Sequence, residues 1–352
     1  MSAKKSTFSI AGRAIGPDHP PLVIAEVGIN HEGSLDKAIQ LVDAAKDAGA
    51  EVVKFQCHIT EKEMIPTDMK PGKISDERLW DIIKRCELNA DEERKVQGYC
   101  KAKGILYLST PFSREASDRL EAMGVPAFKI GSGECNNYPL LDHIAKKGKP
   151  IILSTGMNDL KSIKKAVATI RRRKAPLALM HCTSMYPTPY EKVRLGAIAD
   201  LRKAFAGVPI GLSDHSMGIW TCLGAVALGA CLLEKHFTIL RSWPGPDTKI
   251  SIEPGELKDL IQGSRAIWQA RGGRKTILPD EKPVIDFAYA TVVSIAPIRK
   301  GERFTRDNIW VKRPGTGPLK AERLSTVLGK RAGRDIPPDS HILPEDVVGL
   351  KA

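Results

Sequence analysis

The sequence contains no long hydrophobic run, and no apolar stretch approaches the ~20 residues that a membrane-spanning helix needs. Its beginning, MSAKKSTFSIAGRAIG, also lacks the apolar segment of a secretory signal peptide. The seven cysteines are an odd number and include no CxxC pair, which fits reduced thiols. We therefore expect a cytoplasmic protein that does not enter a membrane.

Aromatic residues are scarce, at 5% of the chain, although the formal net charge is +13. The basic residues are spread along predicted helices instead of being gathered with aromatic residues, which argues against a nucleic-acid partner. The run from Arg171 to Lys174 is expected at a helix C-terminus, where cations favour the helix dipole. A positive field of this kind attracts an anionic substrate.

What the chain does contain is a repeated unit, a short apolar run that ends in polar or ionisable residues and is followed by a stretch of helical character. Eight such units predict a (β/α)8 TIM barrel. The C-terminal ends of its strands share one rim, and the active sites of such barrels lie at that rim. The runs are LVIAE ending at Glu26, EVVKFQ with Lys54 and Gln56, ILYLST ending at Thr110, AFKIGS with Lys129 and Ser132, IILST with Ser154, LALMHCTS with Ser184, IGLSDH with Ser213 and His215, and CLLEKH ending at His236.

The chain is longer than one barrel requires, because 352 residues exceed the roughly 250 of a typical barrel. We expect the barrel over residues 1–273 and a linker rich in proline and charge over 274–290. Residues 291–352 then form a small β-rich module that docks on another surface, because it is too small for a large core of its own. The polar segment 58–88 is predicted to be a long loop at the barrel mouth, with short helical pieces.

The strongest metal candidates are His215 and His236, which end neighbouring strands of the predicted rim. Two imidazoles completed by water suit a divalent ion that stays open to substrate. The alternative is that each is a hydrogen-bonded structural histidine.

Two lysines, Lys54 and Lys129, lie within strands that should be buried, where an unpaired ammonium is costly. A bound phosphate or carboxylate would explain both lysines, and internal salt bridges are the alternative. Small hydroxyl side chains end the same strands and complete a phosphate or phosphoenol site, namely Thr110, Ser132, Ser154 and Ser213.

The carboxylates expected to face the cavity are Glu26, Glu134 and Asp247. With His236, the two glutamates are the catalytic candidates, because proton transfer needs a positioned group of tuned pKa. Each of these carboxylates is alternatively a supporting partner of Lys54 or Lys129.

These residues stand in motifs that resemble the bacterial sialic acid synthases. The motifs are IAEVGINHEGSLDKAIQLVDAAKDAGAEVVKFQ, LSTPFS, FKIGSGECNNYPLL, ILSTGM, HCTSMYPTPY, GLSDHS, EKHFT and PGPD, in this order. The sequence around WVKRPGTG resembles that family's C-terminal antifreeze-like (SAF) domain. The resemblance runs from about Pro21 to Val348.

The resemblance implies an enzyme that condenses phosphoenolpyruvate with an N-acetylmannosamine-type sugar and releases phosphate. It also implies a manganese or magnesium ion on His215 and His236, and a domain-swapped homodimer in which Arg313 reaches the partner subunit's site. By motif match, the phosphoenolpyruvate contacts are Lys54, Thr110, Lys129, Ser132, Ser154 and Ser213, and the positions around the sugar are Gln56, Tyr186, His236 and Asp247.

The identity of the sugar stays open at this stage. Ser184 stands where the neuraminate-type enzymes have asparagine, so a legionaminic or pseudaminic acid precursor is an alternative to N-acetylmannosamine. The segments ECNNYPLL and DFAYATVV favour the neuraminate branch. Two other classes compete: a phosphoenolpyruvate synthase that acts on a sugar phosphate, and a carbohydrate-binding or ice-binding protein that uses the C-terminal module.

Overall fold

The computed structural model describes residues 8–72 and 75–350, which form two compact units, Met1–Gly272 and Gly273–Ala352. The strands are β1 (Phe8–Ile10), β2 (Arg13–Ile15), β3 (Leu22–Gly28), β4 (Val52–Cys57), β5 (Leu106–Pro111), β6 (Phe128–Ile130), β7 (Ile151–Ser154), β8 (Leu177–Cys182), β9 (Ile210–Asp214), β10 (Leu232–His236), β11 (Thr291–Ser294) and β12 (Ile309–Lys312).

The first unit is built around one sheet of eight strands. Its order is β5-β4-β3-β10-β9-β8-β7-β6, and every neighbouring pair is parallel. The two end strands of this order, β5 and β6, lie against each other. The sheet is therefore a nearly closed barrel, which confirms the predicted (β/α)8 fold.

Helices follow the barrel strands along the chain. They are α1 (Leu35–Asp47), α2 (Thr60–Glu63), α3 (Leu79–Cys86), α4 (Ala90–Lys103), α5 (Arg114–Ala122), α6 (Tyr138–Ala145), α7 (Leu160–Arg172), α8 (Tyr190–Val193), α9 (Ala197–Ala204), α10 (Trp220–Ala227) and α11 (Pro254–Ala270). Local sequence sets their ends: the Ser34 hydroxyl accepts a hydrogen bond from the Lys37 backbone N–H at the start of α1. The segment after β4 carries only α2 and α3 before α4 begins.

Side chains alternate between the two faces of each barrel strand. In β3, Val23, Ala25 and Val27 pack outward against the helices, whereas Leu22 and Ile24 belong to a second apolar cluster inside the barrel. The same alternation along β4 to β10 fills the lower lumen with apolar side chains. Because the polar residues come last in each strand, they lie above this apolar floor.

The β1–β2 hairpin was not predicted from the sequence. Its strands are antiparallel, and its apolar side chains Phe8, Ile10 and Ile15 are buried in the cluster that fills the lumen. The hairpin therefore closes the N-terminal end of the barrel, and the opposite rim is left for the polar residues.

The second unit has its own small core. Strands β11 and β12 pair antiparallel, and several isolated bridges, such as Val293 with His341, extend this arrangement. The segment predicted as a linker contains a 3-10 turn, Pro279–Glu281, and α12 (Lys282–Ala288); α13 (Leu324–Val327) comes later. The core consists of buried side chains from throughout the unit, including Val292, Ile298, Phe304, Ile309, Leu319, Val327, Ile336 and Ile342.

Within the described parts of the chain, no helix combines the length and the apolar character needed to cross a membrane.

Candidate active site

A buried ion pair joins the first two strands of the barrel near the rim. The Lys54 ammonium lies 2.7 Å from Glu26 Oε2 and donates a hydrogen bond of 3.0 Å to the Thr110 hydroxyl. Both charged side chains are 3% exposed. The pair follows from the parallel register, in which Glu26 is the partner of Lys54, and from the shared inward direction of their side chains.

A second pair lies across the lumen. The Lys129 ammonium is 3.5 Å from Glu234 Oε1 and donates a hydrogen bond of 2.7 Å to the Ser154 hydroxyl. The Ser213 hydroxyl donates to the same carboxylate at 2.9 Å. Glu234 Oε2 is also 3.8 Å from Lys54, so the four charged groups form one connected set.

Burial and charge act against each other in this set. Burial raises the pKa of Glu26 to about 7, although Lys54 opposes the shift. Burial would also raise the pKa of Glu234, but Lys129 and Lys54 hold it below its ordinary value. Burial lowers the pKa of Lys129, whereas for Lys54 the nearby Glu234 and Glu26 outweigh burial and raise the pKa. Glu26 is therefore the carboxyl that can exchange a proton near neutral pH.

Sequence reasoning missed Glu234. The signal was present, because side chains two positions apart on a strand point to the same face. Since His236 was placed in the lumen, Glu234 of the same run had to face the lumen too. Both lysines thus have internal carboxylate partners, as the salt-bridge alternative predicted. They also donate to hydroxyl groups that line the same lumen.

The two rim histidines lie side by side, with ring centroids 5.4 Å apart. The Tyr186 ring stacks on His215 at 4.2 Å and meets His236 edge-on at 6.0 Å. His215 directs Nδ1 toward the Thr183 carbonyl oxygen at 3.0 Å, which leaves Nε2 as the nitrogen available to a ligand. His236 Nδ1 is buried without a hydrogen-bond partner, and Asp247 Oδ2 lies 3.7 Å away.

The electrostatics keep His236 neutral, because burial above all, then His215, holds its pKa well below the ordinary value. Neutral imidazole is the form that binds a metal ion. Burial also raises the pKa of Asp247 to about 6. Within residues 8–72 and 75–350, no group of three or more histidine, cysteine or acidic side chains has metal-binding geometry.

Hydroxyl groups gather at the strand ends around Gly156. The Gly156 backbone N–H donates to the Ser132 hydroxyl oxygen at 3.0 Å, so the Ser132 proton is left to another acceptor. A Cβ on Gly156 would lie 2.5 Å from Ser184 Oγ and 2.8 Å from Ser132 Oγ. Only glycine fits there, and its small size brings the two hydroxyls together. Glu134, in the same turn as Ser132, is half-buried and accepts from the Asn137 amide at 2.6 Å.

A buried ion pair behind the rim supports the histidine-bearing strands. The Lys235 ammonium is fully buried, lies 2.6 Å from Asp214 Oδ2 and also donates to the Ser216 carbonyl oxygen. Asp214 accepts a further hydrogen bond of 2.7 Å from the Thr221 hydroxyl at the start of α10. Because Lys235 and Asp214 alternate with lumen residues, this pair points outward and joins β9 and β10 to the following loop.

Most of the predicted site residues come together at one rim. The predicted residues of the first unit either make the contacts described above or lie at the C-terminal ends of the barrel strands. Arg313 belongs to the second unit, where it follows β12 and is exposed. The residues at the rim are Glu26, Lys54, Gln56, Thr110, Lys129, Ser132, Glu134, Ser154, Ser184, Tyr186, Ser213, His215, His236 and Asp247.

A parallel barrel whose polar groups converge on one rim is the architecture of an enzyme. The sequence matches the NeuB family over residues 41–276 and the SAF domain over residues 289–348. The chain belongs to the NeuB family of synthases and carries a C-terminal SAF domain.

Relatives in this family have several sugar-acid products. The chain is 40% identical to the N,N'-diacetyllegionaminic acid synthase of Campylobacter jejuni, covering 91% of this chain and 98% of that protein. It is 34% identical to the human N-acetylneuraminate-9-phosphate synthase, covering 95% and 94%. It also resembles the crystal structure of N-acetylneuraminic acid synthetase from Leptospira borgpetersenii, with a TM-score of 0.72, 34% identity, and 79% and 94% coverage.

Proposed function

We propose that this enzyme condenses phosphoenolpyruvate with a 2-acetamido hexose to form a nine-carbon 2-keto acid and releases phosphate. The observation that carries the proposal is the set of Lys54, Lys129, Glu26 and Glu234, four buried charges among hydroxyl donors in one lumen. Buried charges of this kind are costly for stability alone. Their arrangement provides two cations and a proton-exchanging carboxyl around one small anion.

The lysines and hydroxyls bind the anion in this proposal. Lys54 and Lys129 each donate to a hydroxyl, Thr110 and Ser154 respectively, so these groups form a layer of donors. A phosphate or carboxylate that enters this layer receives charge-assisted hydrogen bonds. Ser132, whose oxygen accepts from Gly156 and whose hydroxyl also contacts the Cys182 thiol, would turn its proton from the weak sulfur acceptor to a substrate oxygen.

The reaction requires one new C–C bond and the loss of phosphate. C3 of phosphoenolpyruvate attacks the aldehyde carbon, water adds at C2, and phosphate leaves with its bridging oxygen. The two protons of the water end on the former aldehyde oxygen and on the phosphate. Glu26 is the group that moves a proton, because burial raises its pKa to about 7, where a carboxyl can both accept and return a proton near neutral pH.

The residues present fit a divalent metal ion, manganese or magnesium, held by His215 and His236. Both rings face the same space, His215 has Nε2 available, and the buried His236 Nδ1 has no hydrogen-bond partner. When bound, such an ion supplies Lewis acidity to a carbonyl oxygen. The remaining ligands would be substrate oxygens and water.

The sugar would lie between the histidines and the outer rim. Tyr186, which stacks on His215, offers a ring face, and Gln56 and Asp247 offer polar groups beside Glu26. N-acetylmannosamine is the first candidate, on the ECNNYPLL and DFAYATVV motifs. A 2,4-diacetamido hexose is the second, because Ser184 is shorter than asparagine and the Campylobacter relative forms diacetyllegionaminic acid.

We also propose a homodimer in which Arg313 of the SAF domain completes the partner subunit's active site. Arg313 is exposed, and a guanidinium can hold a sugar hydroxyl or acyl oxygen. Arg313→Ala and His215→Ala should each be nearly inactive alone. After co-refolding, about a quarter of wild-type activity should return, because some dimers then contain one intact site. Mixed dimers without activity would mean that Arg313 acts in its own chain.

The main test is phosphate release from phosphoenolpyruvate with a panel of sugars. The panel contains N-acetylmannosamine, its 6-phosphate and 2,4-diacetamido hexoses. We expect release with an unphosphorylated 2-acetamido sugar, and we expect Lys129→Gln to lose it. Lys146→Gln, which changes an exposed lysine directly after α6, is the matched control. Preference for the 6-phosphate would favour the sugar-phosphate alternative, and no release with any sugar would refute the proposal.

A further inference from the structure

A chain of hydrogen bonds leads from helix α2 to the lumen carboxylate. Glu63, the last residue of α2, places both carboxylate oxygens against His58 Nδ1, at 2.9 and 3.0 Å. His58 Nε2 lies 3.0 Å from Gln56 Oε1, and Gln56 Nε2 donates to Glu26 Oε1 at 3.2 Å. The Glu63 and His58 side chains are only 5% and 3% exposed, so the chain is shielded from water.

The ring of His58 has little freedom to turn. It stacks on Phe112 with centroids 4.4 Å apart and an angle of 12° between the planes. An ionised carboxylate only accepts hydrogen bonds, so Glu63 requires the proton of His58 to be on Nδ1. The partner of Nε2 then decides how the Gln56 amide faces, because the amide has one accepting and one donating end.

Two arrangements satisfy every donor and acceptor in this chain. When His58 also carries a proton on Nε2, it donates to Gln56 Oε1, and the Gln56 N–H faces an ionised Glu26. When Nε2 is unprotonated, the amide turns, its N–H faces His58, and its oxygen accepts from a protonated Glu26. The amide therefore links the protonation of His58 to that of Glu26.

We propose that Glu63 and His58 are positioning residues that orient the Gln56 amide and, through it, set the protonation of Glu26. Neither residue reaches the lumen centre, so they act through Gln56. The proposal rests on the proposed function for its kinetic consequences, but the hydrogen-bond chain itself does not. Hydrogen-bond partners that orient the ligands of metal sites contribute about 10- to 100-fold, and we expect an effect at the lower end of that range, about tenfold, for partners that orient a carboxyl.

Several charged groups face the two ends of the chain. Those that act on Glu26 are Lys54 from β4, Lys129 from β6 and Glu234 from β10. Those that interact electrostatically with His58, besides Glu63, are His31, Glu93 and Asp247. An amide N–H that donates to Glu26 favours its charged form, so losing that donor should raise the pKa of Glu26 further.

The test compares Glu63→Gln with Glu61→Gln. Both residues are on α2, but Glu61 is exposed and pairs with Lys84 at 2.7 Å. In Glu63→Gln we expect kcat to fall about tenfold, with the KM for phosphoenolpyruvate within about twofold. The limb of the kcat–pH profile that reports the titration of Glu26 should shift upward by about 0.5 to 1 pH unit. Glu61→Gln should behave as the wild type.

A folded Glu63→Gln variant with the wild-type kcat and pH profile would overturn the proposal. If that variant does not fold, ¹⁵N spectra of histidine-labelled wild-type protein decide, with His58→Gln used to assign the signal. The proposal requires a protonated Nδ1 on His58 near neutral pH, and an unprotonated Nδ1 would overturn it. The same spectra test the hydrogen-bond chain if the wild type releases no phosphate from any sugar. Failure of the proposed function can therefore be distinguished from failure of this proposal.

Discussion

Lys54 and Glu26 form an ion pair of 2.7 Å in which both side chains are only 3% exposed, directly across the β3–β4 register. With Lys129 and Glu234 they make a set of two cations and two anions that has no net charge when all four are ionised. A substrate anion that enters this set adds negative charge beside Glu26. The added negative charge should act mainly on Glu26, because this is the carboxyl whose pKa is already raised to about 7.

Binding of phosphoenolpyruvate should therefore be coupled to proton uptake. The added anion stabilises protonated Glu26, because a like charge nearby disfavours the ionised form. Calorimetric titrations at pH 7.5 in two buffers of different ionisation enthalpy measure the uptake. We expect Glu26→Gln to lose most of it. Glu134→Gln, which changes a carboxyl outside the four-charge set, should retain it. Equal uptake in wild type and Glu26→Gln would contradict the assignment.

Removing Lys54 alone should destabilise the fold strongly, by about 3–5 kcal/mol, because Glu26 and Glu234 are left as buried carboxylates without one of their cations. Lys54→Met combined with Glu26→Gln should lose clearly less stability than Lys54→Met. Chemical denaturation of the variants measures this. Lys103→Met, which breaks an exposed pair with Asp43, is the control and should be almost unchanged. Additive effects of the two lumen substitutions would contradict the coupling.

The pH dependence of stability should depend on Asp247. Its folded-state pKa is raised, mainly by burial, to about 6, whereas an unfolded aspartate has a pKa of about 3.9. Between these values the folded protein holds a proton that the unfolded chain has lost, so this group's contribution to stability falls as the pH rises. The cost is complete above about pH 6.

Asp247→Asn removes that cost and cannot titrate. The gain in the free energy of unfolding over wild type should be small at pH 4 and should reach its full size, on the order of 3 kcal/mol, above about pH 6, and the Tm should rise with it. Thermal unfolding at a series of pH values measures the difference. Asp200→Asn, at an exposed position of α9, controls for general effects of charge removal. A Tm difference that does not change with pH would refute the prediction.

Chelation should abolish phosphate release if His215 and His236 hold the metal ion. EDTA is expected to stop the reaction, and added manganese to restore it. His215→Ala should bind manganese more weakly, as measured by the electron paramagnetic resonance signal of the free ion, and should stay folded. His143→Ala on α6 should bind like the wild type. Full activity of His215→Ala in the presence of chelator would exclude this histidine as a ligand.

Ser184 should influence the choice of sugar. A Ser184→Asn substitution adds an amide that both donates and accepts beside Gly156, where the serine hydroxyl now lies. The ratio of kcat/KM between N-acetylmannosamine and a 2,4-diacetamido hexose should change severalfold, since a hydrogen-bonding group alters discrimination. An unchanged ratio across the sugar panel would mean that Ser184 does not contact the sugar.

The sequence predicted the barrel because its signals are local. Each strand is a short buried run, and each following helix has its own spacing and caps, such as Ser34 at the start of α1. Right-handed connection of such units leaves few alternatives to a closed barrel. The same topology sends the end of every strand to one rim, so candidates as distant in sequence as Glu26 and His236 could be assigned to one site.

The sequence alone did not predict which charged groups pair with each other. Lys54 meets Glu26, and Lys129 meets Glu234, because of the register and curvature of the sheet, which depend on packing over the whole barrel. The β1–β2 hairpin gave no recognisable pattern because its three-residue strands are too short. Glu63 was hidden in a segment read as a loop, and only the fold brings it to His58. Local periodicity determined the architecture and the rim, and tertiary packing decided the hydrogen bonds and ion pairs that set each group's charge.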